Sequence, residues 1–130
     1  MNARTSRLVA TAGLLLLSGA GVLATAGQSS AATRDGSTNS GEFGAYYLQN
    51  QASYVFDFAS YDANFANDSF PKASSINPDD NTESYWNRNS TYVDVYTESG
   101  RGGVHGWIPD GLSGNFSSNY KNNVTSAYER

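Results

Sequence analysis

The densest chemistry in the chain lies at Asp79-Asp80-Asn81-Thr82-Glu83-Ser84. Oxygen donors at successive positions suit a hard cation, and Ca²⁺ takes about six to eight of them. Asp79, Asp80, Asn81 and Glu83 supply such a cluster, and Glu98 adds a carboxylate further along. The same Asp/Asn run also suits a turn that satisfies its own backbone. Other chemistries lack reagents. With no Cys and one His, the chain has no disulfide, thiolate nucleophile, Cys-ligated zinc or multi-His centre. A Ser nucleophile needs a base and an orienter, and the pattern identifies neither. His105, among glycines at Gly103-Val104-His105-Gly106, reads as a strand or surface residue. Paired carboxylates can cleave glycosides, yet Asp79-Asp80 sits among turn residues with no partner acid marked. The expectation is a protein that is not an enzyme.

The averages combine two chemically different pieces. Residues 1–32 have a basic start (Arg4, Arg7), an apolar run from Leu8 to Ala26, and small residues ending Ser30-Ala31-Ala32. That pattern is a secretory signal peptide, so the expected protein is secreted and extracellular, with no membrane association after cleavage. The leader carries two of the eight basic residues and none of the twelve acidic ones, so the mature charge is −6. That balance argues against a nucleic-acid partner. Residues 33–41 hold no apolar side chain and are expected to be a flexible lead-in.

From 42 to 130 the pattern is short strands joined by turns. Phe43 to Leu48 is apolar at nearly every position, and Tyr54, Phe56 and Phe58 alternate with Val55 and Asp57. Tyr92 to Tyr96 alternates again, and Pro109-Asp110-Gly111 marks a turn. Alternating Tyr and Phe on strands suit core and cross-strand pairs. The expected class is all-β, a sandwich or a barrel. The chain also repeats. Residues 45–58 lie on 94–107 at an offset of 49, matching Tyr47 with Tyr96 and Phe58 with Trp107. Residues 79–86 lie on 121–128 at an offset of 42, matching Ser84 with Ser126. Two repeats, about 42–88 and 89–130, are expected to pack as a monomer.

These residues resemble the βγ-crystallin fold, whose Greek keys carry an aromatic strand, a Gly-containing corner and a calcium signature. Tyr96 with Gly102 and Gly103 matches the corner; in the first copy this alignment places Ser53 and Tyr54 at the glycines. The signature matches Asp79 to Ser84 and Lys121-Asn122-Asn123-Val124-Thr125-Ser126. Gly41-Glu42-Phe43, Tyr46-Tyr47 and Ser84-Tyr85-Trp86-Asn87-Arg88 are similar to secreted bacterial metalloproteinase inhibitors of that fold. Gly44 stands where those relatives commonly carry a Cys.

The resemblance implies two calcium sites, each shared with the other key's corner. One would use the Asn81 carbonyl, Glu83 and Glu98. The other would use the Asn123 carbonyl, the Thr125 hydroxyl and Gln49, and would be weaker because Lys121 adds repulsion. It also implies binding of an extracellular metalloproteinase through a loop at Ile76, Asn77 and Pro78. A calcium module without inhibitory activity and a toxin-like surface-binding domain are the other functions known on this fold.

Overall fold

The computed structural model of the chain describes residues 34–130. The leader read at 1–32 lies outside the described residues. Eight strands follow: β1 Phe43–Leu48, β2 Ala52–Phe58, β3 Tyr61–Asp62, β4 Ser84–Asn87, β5 Val93–Glu98, β6 Gly102–Ile108, β7 Ser113–Asn115 and β8 Ser126–Glu129. They form two four-stranded sheets, ordered β2-β1-β4-β7 and β3-β8-β5-β6. Every strand pairing is antiparallel. Each key keeps three strands in one sheet and lends its third, β3 or β7, to the other. The all-β sandwich of two Greek keys expected from the sequence is what forms.

The strand register corrects the repeat. Phe43 pairs with Phe58, and Tyr46 with Val55. In the second key Val93 pairs with Ile108, and Tyr96 with His105. The true offset is therefore 50, so Tyr46 and not Tyr47 corresponds to Tyr96. Phe58 corresponds to Ile108 rather than Trp107. An offset of 49 puts matched side chains on opposite faces, because strand side chains alternate with a period of two. The offset of 42 between β4 and β8 holds: Ser84 faces Tyr46, and Ser126 faces Tyr96.

The corner backbones confirm the offset of 50. Asn50, Gln51 and Ser53 have φ of 59°, 54° and 70°, and Gly100, Arg101 and Gly103 have 61°, 68° and 73°. Ser53, not Tyr54, thus stands at the position of Gly103. Glycine adopts this left-handed region freely, whereas other L-residues pay for it. The first corner offsets part of that cost with side-chain bonds. Gln51 N donates to Ser84 Oγ (2.9 Å) and its Nε2 to Gly114 O (3.1 Å). Asn50 N donates to Asn115 Oδ1 (2.7 Å).

All six Phe enter the core with Ala45, Val93, Val95, Ile108, Val124 and Ala127. Phe43, Ala45, Phe56 and Phe58 lie on the inner face of the first sheet, as the alternation requires. The stretch between β3 and β4 lacks long strands yet delivers Phe65, from a 3-10 turn capped by Asn64, and Phe70. The aromatic residues do not form one core of seventeen rings. Tyr61, Tyr128, Tyr96, His105 and Trp107 instead make a ladder on the outer face of the second sheet, with Tyr61 stacked on Tyr128 and Tyr96 on His105. At the junction of the keys, buried Asn87 donates through Nδ2 to Thr91 O, Ile108 O and Pro109 O.

Residues 34–41 have fixed contacts, contrary to the expected flexible lead-in. Arg34 N donates to Asp57 O (3.0 Å), and Arg34 pairs with Asp62 and Asp68 while lying over the Phe56 ring. Thr38 is buried and shares a 2.7 Å hydrogen bond with the Tyr46 hydroxyl. Polar composition concealed this docking, because hydrogen bonds and ion pairs rather than apolar burial hold the segment. It covers the outer face of β1 and β2, so Gly44, Tyr46, Val55 and Asp57 are buried there. A Cβ at Gly44 would collide with Thr38 Oγ1 and meet Val55 Cγ2 at 2.9 Å. The position therefore has no room for a side chain.

Two substitutions test this packing. Ser53→Gly relieves a left-handed backbone and should raise stability by about 0.5–1 kcal/mol after its entropy cost. Gly44→Ala should lower it by about 1–3 kcal/mol through overpacking. Thermal melting checks both; an unchanged midpoint in Gly44→Ala would contradict the docked segment.

Candidate functional site

The two signature loops hold each other. Asp80 N donates to Val124 O (3.2 Å), and Asn122 N donates to Thr82 O (2.8 Å). The donors occupy equivalent positions with φ of 52° and 54°. Thr82 and Val124, the next equivalent pair, are fully buried between the loops.

Each signature then runs along the first strand of its own key. Glu83 N donates to Tyr46 O (2.8 Å) and Thr125 N to Tyr96 O (2.9 Å). The signature serines clamp the corners: Ser84 Oγ donates to Leu48 O (2.6 Å), and Ser126 Oγ to Glu98 O (2.7 Å). The sixth signature residue is thus a hydroxyl because it must close the corner.

This connectivity changes how the candidate ligands group. Thr125 Oγ1 donates to Asp79 Oδ1 (2.6 Å) and lies 3.3 Å from Asp80 Oδ1. Although Asp80 is largely exposed, its carboxyl is held above its ordinary range, first by partial desolvation and then by the charges of Asp79 and Glu98. Asp79 and Asp80 therefore gather with Thr125 beside the second key's corner, where the charge of Glu98 also acts on Asp80. On the other side, Asn122 Nδ2 donates to Glu83 Oε2 (3.0 Å). That group has one carboxylate, beside the corner bearing exposed Gln49. Glu98 goes with Thr125 and not with Glu83, and Gln49 lies on the Glu83 side and not with Thr125. Asp79 and Asp80 cross to the second signature while Glu83 stays with the first key, so the set expected to be poorer in charge is the richer one. The physical reason is strand pairing: β4 and β8 run beside β1 and β5 of their own keys. What crosses between keys is the start of each signature, Asp79 and Asp80 in one direction and Asn122 in the other.

Asn81 Nδ2 donates to Asn77 O (3.1 Å), and Asn123 Nδ2 to Asn119 O (3.0 Å). These amides brace the loops and leave ligation to the backbone. Asn122, the second residue of the second signature, joins the Glu83 side through its amide, and the left-handed backbone it shares with Asp80 marks it. The donor set of Asp79, Asp80, Glu98 and Thr125 is entirely oxygen, which suits Ca²⁺ and offers nothing to soft metals.

The segment read as a protease-binding loop turns inward. Ile76 packs against the core, Pro78 is buried, and Asn77 alone is exposed. Asn77 Nδ2 donates to Ala66 O (2.9 Å) and Asp68 O (2.8 Å), and its Oδ1 accepts from Asp79 N (2.8 Å). Its bonds fix the approach to the signature, so the segment forms a brace in place of a protruding strand.

His105 is exposed on β6, with Nε2 3.0 Å from Asp94 Oδ1 and its ring on Tyr96. Burial pushes the Asp94 carboxyl up, but its bonds and attraction to Arg130 and His105 prevail and hold it below the ordinary range. The arrangement is a surface ion cluster on the aromatic ladder.

Without calcium, the raised carboxyl of Asp80 makes a signed prediction. A group titrating higher in the folded state favours folding fully below its unfolded value, and that contribution is lost as pH rises through the folded value. In chelator at neutral pH, Asp80→Asn should raise the midpoint by no more than about 2 °C, since the group is exposed and screened. Below about pH 3 the gain should vanish. A lowered midpoint at neutral pH would contradict the repulsion between these carboxylates.

No protein-family model matches the chain, and no curated protein matches it. Solved structures do. A domain described with the evolution of the eye-lens βγ-crystallin fold matches with TM-score 0.58 and 13% identity, over 71% of this chain and 88% of that one. A βγ-crystallin from Ciona intestinalis matches with TM-score 0.54 and 9% identity, over 69% and 100%. A βγ-crystallin domain from Flavobacterium johnsoniae matches with TM-score 0.51 and 16% identity, over 66% and 90%. Paired Greek keys with exchanged third strands and these neighbours lead to one statement: the chain has the βγ-crystallin fold.

Proposed function

We propose that the chain is an exported, non-catalytic calcium-binding βγ-crystallin module whose principal ion site is the corner of the second key. One observation carries this reading. The Thr125 hydroxyl of one key lies against the Asp79 and Asp80 carboxylates of the other, although the residues are far apart in sequence. Bound there, Ca²⁺ would neutralise the carboxylates of Asp79, Asp80 and Glu98. The leader read at 1–32 supports export. Protease inhibition draws no such support, because a substrate-like inhibitor needs an extended exposed segment, and Ile76 and Pro78 face inward.

Calorimetry and melting of the purified full chain test the reading. Calcium should give a binding heat and raise the midpoint, with about 2.7 kcal/mol of stabilisation at a hundredfold excess over Kd. Asp79→Asn with Asp80→Asn should remove one binding equivalent, and Glu83→Gln should remove none. Full stoichiometry in the double variant, or no heat in the native chain, would overturn the proposal.

A further inference from the structure

A second group of carboxylates lies far from the signature in sequence. One oxygen each from Asp35, Glu42 and Asp57 fall within 4.8 Å of one another. Glu42 and Asp57 are almost wholly buried, at 2% and 0% exposure, while Asp35 reaches solvent. Glu42 Oε1 accepts from Asn39 N (2.8 Å), but its Oε2 is buried and has no hydrogen-bond partner among the described residues. An orphaned buried carboxylate oxygen is costly in a chain that satisfies most of its buried polar atoms.

Among the described residues the three carboxylates take backbone and amide donors and no salt bridge. Asp57 accepts from Asp35 N (3.0 Å) and Gly36 N (2.8 Å), and Asp35 Oδ1 from Ser37 N (2.9 Å). Asn39 Nδ2 lies at 3.3–3.4 Å from Asp35 and Glu42. Arg34 is committed to Asp62 and Asp68, and Arg88 Nη1 to Thr38 O. The alkyl chain of Lys72 passes over Gly36. Among the described residues no ammonium or guanidinium forms an ion pair with the three carboxylates. Burial, then the neighbouring acids, raises the Glu42 carboxyl; burial likewise raises that of Asp57.

We propose that Asp35, Glu42 and Asp57 form a second calcium site, separate from the corner, which fastens residues 34–41 to the outer face of the first sheet. Ligands on opposite sides of Ca²⁺, at about 2.4 Å each, stand about 4.8 Å apart. All the donors are hard oxygens, with no imidazole or thiolate to favour zinc or copper. The unpartnered Glu42 Oε2 is the atom that gains most from an ion. The site belongs to the first key alone: at the offset of 50, Glu42 and Asp57 correspond to Tyr92 and Trp107, which are exposed. Calcium would act here as a clamp on the segment that begins the described structure.

The test uses the purified full chain with Ca²⁺ as the probe. In the Asp79→Asn/Asp80→Asn background, calorimetry should still show one equivalent, and adding Glu42→Gln should abolish it. Asp35→Asn, at an exposed position that cannot disturb the core, should weaken that equivalent at least tenfold. By NMR, calcium should shift the Asp35 and Gly36 amides and slow their hydrogen exchange in the corner variant. Retention of the equivalent in Glu42→Gln, or unmoved Asp35 and Gly36 amides, would overturn the proposal and indicate that Glu42 is neutralised by a proton.

Discussion

The reciprocal pair of hydrogen bonds between the signature loops, Asp80 N to Val124 O and Asn122 N to Thr82 O, is the constraint on which the site depends. It locks the loops about a pseudo-twofold axis and buries Thr82 against Val124. Each donor must take a left-handed backbone, which Asp and Asn tolerate better than other L-residues. The geometry carries Asp79 and Asp80 out of their own key to Thr125. The corner's oxygen cluster is thus a consequence of how the keys interlock, and neither key alone can assemble it.

The two keys share a backbone plan and differ in what covers them. Residues 34–41 seal the outer face of β1 and β2, so Val55 to Phe58 are buried on both faces. Among the described residues no such segment crosses the second key's corresponding face, which carries the aromatic ladder, with Arg101 3.8 Å above the Tyr128 ring. That coverage explains Gly44, where Thr38 leaves no space for a side chain. Bonds to Asp57, Tyr46, Asp62 and Asp68 hold residues 34–41 in place, with Thr38 filling the space that a side chain at position 44 would need.

Much of the fold was legible in the residues. Alternation at 54–58 and 92–96 and the internal repeat sufficed for an all-β fold of two similar units, and the resemblance carried by the glycines at 102 and 103 and by the signatures supplied the Greek keys. The repeat's phase was not legible, because Tyr46 and Tyr47 are adjacent and both align plausibly with Tyr96. Only the hydrogen-bond register and the φ angles of Ser53 and Gly103 decide between them. Ligand grouping failed for a related reason. Composition shows that Asp80 and Glu98 are acidic, but which corner each faces depends on strand pairing between distant segments. The order of residues 34–41 was hidden because polar side chains, which usually signal solvent exposure, here bind buried groups.

An ion site built by both keys answers to calcium as a unit. The direct measurement is an NMR calcium titration of the full chain, following the amides of Asp80, Glu98 and Thr125. All three should shift along one saturation curve, because the residues face the same ion. Movement confined to residues 79–84, with Glu98 and Thr125 unchanged, would contradict it.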